Sequence, residues 1–131
     1  MRLLLDTHIA LWAVVDDSRL GPTATDLIAD PANEVFVSAA SLWEIAIKHR
    51  LARGNANDMP VSAQEALSYF REAGYALLDI AATHVLAVEQ LPMLHADPFD
   101  RILVAQALTV PLRLLTRDAR AARYSDTVIV I

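Results

Sequence analysis

The chain has no cysteine and only three glycines among its 131 residues. The first absence removes disulfide frameworks, thiolate nucleophiles and cysteine metal sites together, and it fits a reducing compartment. The second agrees with the lack of any glycine-rich loop that would cradle a phosphate. Long apolar runs are missing too: hydrophobic residues make up 55% of the chain, yet Asp, His, Pro or Arg interrupts them. Neither a membrane span nor a signal peptide is expected, because Asp6 and His8 break up the only N-terminal apolar run. Repeats, low-complexity tracts and linkers are absent, so the length points to one domain over residues 1–131. Positive charge is in short supply. Eleven Lys and Arg against sixteen Asp and Glu give a net charge of -5, which argues against holding nucleic acid by bulk electrostatic attraction.

What is present is a set of short apolar strands alternating with helices. Leu3-Leu4-Leu5 reads as a strand covered on both faces that delivers Asp6 at its end. His8 to Val15 and Pro22 to Ala29 read as helices, and Val35-Phe36-Val37 as a strand ending at Ser38. Ser38 to Leu51 is the clearest helix, capped by Ser38 or by Ser41 with Glu44. Trp43, Ala46, Ile47 and Arg50 are expected to broaden its buried stripe. Arg53 to Asp58 reads as a loop. Ser62 and Glu65 form a capping box for a helix through Phe70, with Gly74 beyond its end. A strand over Ala76 to Ile80 and a helix around Thr83 to Glu89 follow. Asp97 as cap and Pro98 at the first helical position start another helix, which ends before Pro111. Leu112 to Leu115 and Val128 to Ile131 complete the strands, with a helical turn through Ala122 between them. This alternation predicts a three-layer α/β fold with a mostly parallel central sheet of about five strands.

In such a sheet the C-terminal strand ends form the functional edge. Asp6 and Asp118 follow buried strands, the helix bearing Glu44 starts from the same edge, and Asp97 and Asp100 begin another helix that reaches it. Clustered carboxylates repel unless a cation compensates them. Hard oxygen ligands select Mg²⁺ or Mn²⁺, ions that support phosphodiester hydrolysis. Each acid also has a local explanation: Asp6, Asp97 and Asp118 as caps, Asp100 as partner of the Asp97 cap, and Glu44 as partner of Lys48 one turn on. The four histidines form no close ligand motif and read as structural or surface residues. Trp12 and Trp43 read as core rather than as base-stacking platforms.

These stretches resemble a known family. Leu3-Leu4-Leu5-Asp6-Thr7-His8, the segment Ser38 to Lys48 bearing Glu44, His95-Ala96-Asp97-Pro98-Phe99-Asp100-Arg101 and Leu115-Thr116-Arg117-Asp118 are together similar to the PIN domain, in its VapC-like branch of type II toxin–antitoxin systems. The resemblance covers essentially the whole chain. It implies a PIN-like α/β/α sandwich, a catalytic site of Asp6, Glu44, Asp100 and Asp118, and a metal-binding set made of these four with Asp97 as an accessory acid. It further implies Mg²⁺, with Mn²⁺ as substitute, supporting endoribonuclease activity on RNA. A homodimer, a cognate antitoxin and cytoplasmic localisation are implied as well. Among Lys48, Arg50, Arg53, Arg101, Arg113, Arg117, Arg120 and Arg123, some are candidates for phosphate contacts, with a solvated surface or antitoxin-facing role as the alternative for any one of them. Two other readings stand beside this one: a non-catalytic α/β module whose acids are helix caps, and a phosphotransferase using Asp6 as nucleophile. Asp6-Thr7-His8 lacks the second nearby Asp that the latter needs.

Overall fold

Leu3, Leu4 and Leu5 are fully buried, and they point alternately into two different cores. That alternation is what a strand with helices on both sides requires, because successive side chains leave opposite faces of a sheet. In the computed structural model, which describes residues 1–52, 54 and 59–131, this strand is β1 (Arg2–Leu5). It lies in the middle of a parallel sheet with β2 (Glu34–Ser38), β3 (Ala76–Leu78), β4 (Arg113–Thr116) and β5 (Val128–Val130). The spatial order is β3-β2-β1-β4-β5. Leu4 stands opposite Phe36 on one side and Leu114 on the other. The chain therefore builds outward from β1 in one direction and then returns to add β4 on its other flank. This places a topological switch, and the crevice that goes with one, between β1 and β4.

Among the described residues, six α-helices cover the sheet. On one face lie α1 (Thr7–Val14), α2 (Pro22–Ala29), α3 (Ala39–Arg50) and α4 (Ala63–Glu72), which bury Ile9, Ala24, Ile45 and Phe70 against Leu3, Leu5, Val37 and Leu115. On the other, α6 (Pro98–Thr109) brings Leu103, Val104 and Ala107 onto Leu4, Phe36 and Leu114, with α5 (Ala82–Gln90) packed beside it. The three-layer arrangement is the expected one, and all five strands are parallel.

Local signals set the helix ends. Ser38 caps α3 by accepting from the Ala40 amide at 3.0 Å. Ser62 and Glu65 form the reciprocal capping box of α4, and Asp97 with Pro98 opens α6. A 3-10 turn at Ser18–Leu20 had no clear signal in the apolar pattern. The loop expected over Arg53 to Asp58 lies outside the described residues except for Gly54.

The expected buried stripe of α3 needs correction. Ser41, Glu44 and Ile45 are buried, whereas Ala46, Ile47 and Arg50 are exposed and Trp43 is 59% exposed. The helix turns its polar Ser41 and Glu44 inward because Thr7 of α1 meets them there. Trp43 instead packs edge-on against Phe99 at 5.2 Å between ring centroids. Leu4→Ala is expected to cost about 2–5 kcal/mol in chemical denaturation, because β1 cannot relax into the hole. Leu86→Ala, at a site 63% exposed, should stay within about 0.5 kcal/mol of the parent.

Candidate active site

Asp6, the first residue after β1, uses its two carboxylate oxygens differently. Oδ1 accepts from the Ile9 amide at 3.1 Å and caps α1, while Oδ2 accepts from the Thr116 hydroxyl at 2.5 Å. Thr116 ends β4, so this bond spans the switch between β1 and β4, where the Asp6 amide also donates to the Leu115 carbonyl at 3.1 Å. Thr116 Oγ1 in turn accepts from the Asp118 amide at 3.1 Å. The two strand ends are thereby locked together with both of their acids at one edge. Capping and membership of an acidic cluster are not alternatives for Asp6.

Asp118 likewise has two sets of partners. It caps the 3-10 turn Ala119–Arg123 through the Arg120 amide and pairs with the Arg120 guanidinium at 2.9 Å. Glu44 is 5% exposed. Its Oε1 accepts from Thr7 at 2.6 Å, and its Oε2 pairs with Lys48 at 2.5 Å. Thr7 lies 2.9 Å from Ser41, so the Ser41–Glu44 capping pair is replaced by contacts to α1. Asp97 Oδ1 accepts from the Phe99 amide at 2.8 Å and the Asp100 amide at 3.3 Å. Asp100 does not return that cap; its side chain goes to His95, at 2.6 Å.

All five acids line one cleft of about 460 Å³, together with Thr7, His8, Trp12, Lys48 and Arg117. The chain brings them there from four separated segments. Trp12 is partly buried on α1, with the guanidinium groups of Arg19 and Arg117 over its ring at 4.9 and 5.3 Å from the centroid. Arg101 is buried and donates to the Val88, Leu91 and Pro92 carbonyls, so it is not a surface cation of the cleft.

The charge balance in the cleft is uneven. Burial pushes the Asp6 carboxyl above its ordinary range, and the nearby Glu44 adds to the effect, against the Thr116 and Ile9 hydrogen bonds. Burial also raises Asp100, with repulsion from Asp97 next and His95 working the other way. Asp118 is held below its ordinary range, chiefly by the hydrogen bond from Arg120. Two desolvated carboxyl groups beside further acids form an arrangement that a divalent cation would relieve. The oxygen donors of Asp6, Asp100 and Asp118 fit a hard ion such as Mg²⁺ or Mn²⁺.

The sequence pattern makes His95 a structural or surface residue, whereas the structure places it among the acids: its Nε2 is 2.6 Å from Asp100 Oδ2 and 3.2 Å from Asp118 Oδ2. The signal that was available is local, a histidine two residues ahead of the cap Asp97 and five ahead of Asp100.

A parallel sheet with acids at its switch point defines the class, and the comparisons with known proteins give it a family. The PIN domain model matches residues 3–126, and the chain belongs to the PIN domain family. It is 32% identical over 120 residues to Ribonuclease VapC22 of Mycobacterium tuberculosis, covering 90% of this chain and 88% of that protein. Two solved structures share the fold. VapBC2 from Rickettsia felis, crystallised bound to a DNA fragment from its promoter, aligns over 100% of this chain and 98% of its own at a TM-score of 0.68 and 16% identity. A toxin–antitoxin complex from Klebsiella pneumoniae aligns over 98% and 96% at 0.61 and 17%.

The uncompensated charge at Asp6 has a measurable consequence. Its folded-state pKa lies above the unfolded value near 3.8, so the fold loses stability as pH rises through that interval and Asp6 ionises. Asp6→Asn keeps an N-cap for α1 and removes the buried charge. The metal-free variant should therefore melt above the parent at pH 7, and the advantage should vanish well below pH 3.8, where Asp6 is protonated in both states. Thermal melts with chelator across pH check this.

Proposed function

We propose that this chain is the toxin of a type II toxin–antitoxin system and acts as a divalent-metal-dependent endoribonuclease. The observation that carries the reading is the convergence of Asp6, Glu44, Asp100 and Asp118 in one cleft at the β1/β4 switch, with Asp97 beside them. The ribonuclease activity named for its Mycobacterium relative supports the same substrate class.

Asp6, Asp100 and Asp118 would hold the cation directly or through water, and Asp97 is the accessory acid. Such an ion lowers the cost of ionising water near neutral pH and neutralises charge that builds on a phosphodiester. The protein does the positioning. Thr116 fixes one oxygen of Asp6 while the α1 amide fixes the other, so that carboxylate enters the cleft in one orientation. Glu44 completes the negative field and, through its pairing with Lys48, holds an ammonium at the cleft wall. Lys48 and Arg117 are the basic groups lining the cleft, placed to meet RNA phosphates on either side of the scissile bond. With a net charge of -5, RNA is held by these local contacts and by recognition of its shape and bases rather than by a broad basic face.

A cognate antitoxin as partner follows from the toxin reading and is supported by the Klebsiella pneumoniae relative, which was solved as a toxin–antitoxin complex. Homodimerisation belongs to the same reading, and Val85, Leu86 and Met93 leave exposed apolar surface for association. No helix among the described residues is long and apolar enough to cross a membrane. The same reading takes residues 1–131 as one domain and, because its substrate is RNA, the cytoplasm as its compartment.

The test is cleavage of a panel of structured RNAs with Mg²⁺, with Mn²⁺ and with chelator, comparing the parent with Asp6→Asn and Asp100→Asn. Cleavage should require the ion and fall by about 10²-fold or more in each variant. Undiminished cleavage in chelator, or in both variants, would contradict the proposal. A parent that neither binds the ion nor cuts any RNA would instead favour the non-catalytic module.

A further inference from the structure

His95 lies between α5 and α6, on a segment held in place without help from the acids. The buried guanidinium of Arg101 donates to the Pro92 carbonyl at 2.9 Å and to the Val88 carbonyl at 3.1 Å. The Tyr124 hydroxyl reaches the His95 carbonyl at 3.5 Å and accepts from Arg101 at 3.2 Å. The imidazole is therefore delivered by its own scaffold to Asp100 and Asp118, two of the acids that line the cleft, with His95 itself 8% exposed. Its Nε2 stands 2.6 Å from Asp100 Oδ2 and 3.2 Å from Asp118 Oδ2, and one ligand atom from each of the three residues lies within 4.8 Å of the others.

Those separations have a chemical meaning. Two ligand atoms each about 2.1 Å from one ion and at right angles to each other are about 3 Å apart. The two distances from His95 fall on either side of that value. In a neutral imidazole with its proton on Nδ1, Nε2 carries a lone pair, and lone pairs of three acceptors cannot converge without a positive centre among them. A proton on Nε2 serves the short contact to Asp100 and reaches Asp118 less well. A divalent ion serves all three.

The geometry points to His95 as a nitrogen ligand of the divalent ion, shared with Asp100 and Asp118. The centre is then mixed nitrogen and oxygen rather than purely carboxylate. Imidazole raises affinity for transition ions far more than for Mg²⁺, so such a centre prefers Mn²⁺. The inference rests on the metal-dependent reading of the cleft.

The experiment titrates Mn²⁺, and separately Mg²⁺ in competition, into the full chain of the parent, His95→Gln, His95→Asn and Asp100→Asn. Circular dichroism of the metal-free proteins establishes that each is folded, and electron spin-echo spectroscopy on bound Mn²⁺ reads out nitrogen directly. The parent should show ¹⁴N modulation that both His95 variants lose. Their Mn²⁺ affinity should drop by about 10-fold or more, with a much smaller change for Mg²⁺. Equal losses for both ions without nitrogen modulation in the parent would overturn the inference, since His95 would then only position the acids. Modulation that persists in folded His95 variants would overturn it as well. Absence of any Mn²⁺ binding sensitive to Asp100→Asn would overturn the metal-dependent reading along with it.

Discussion

The fixed point of this molecule is the pair of hydrogen bonds that Asp6 accepts from opposite directions. One comes from the first turn of α1 and the other from Thr116 at the end of β4. A carboxylate at this position must be ionised to accept both at full strength, yet burial penalises the ionised form. The penalty is tolerated because the surrounding sheet leaves no alternative. β1 is fully packed on both faces, its end is fixed by register with Val37 and Leu115, and α1 begins one residue later. The strained electrostatics is thus a consequence of good packing immediately beneath it.

The other acids show how such a cluster is kept from disrupting the fold. Each is given a local partner that does not close the cleft. Glu44 has Thr7 and Lys48, Asp118 has Arg120, Asp97 has the amides of α6, and Asp100 has His95. Lys48, Arg120, the α6 amides and His95 are near neighbours in sequence of the acids they meet, whereas Thr7 reaches Glu44 from a different helix 37 residues away. What they do not neutralise is the burial of Asp100 and its repulsion by Asp97, which together hold that carboxyl above its ordinary range. Local satisfaction with residual repulsion is an electrostatic profile that a bound cation would relieve, in keeping with the metal-dependent function proposed for this cleft.

Helix α3 shows the same priority of site over pattern. Its apolar side chains Trp43 and Ile47 and its C-cap residue Leu51 are exposed, while Ser41 and Glu44 point inward. Hydrophobic periodicity read alone misplaces this stripe, because the inward face is selected by the hydroxyl of Thr7 and by Ile45 rather than by apolar residues in general. Trp43 and Phe99, each one residue before a cleft acid, are consequently paired at the surface.

The order of strands and helices was legible in local residue patterns, with β3 ending at Leu78 rather than Ile80 and β4 running one residue later than expected, over Arg113–Thr116. Leu3 to Leu5, the Ser62–Glu65 box and Asp97-Pro98 are local signals whose physics acts over a few residues, and they act the same way in the folded chain. The order of the chain also carried the family pattern, which the match over residues 3–126 upholds. The packing of distant segments is what makes Asp6 cap a helix and join the cluster at once, turns Trp43 outward, makes Arg101 an internal brace and sets His95 against Asp100 and Asp118. Each of these depends on contacts between segments far apart in the chain or on a loop held by a buried side chain. Such contacts leave no periodicity, and those of Asp6 with Thr116 and of His95 with Asp118 need the end of β4 in place beside β1.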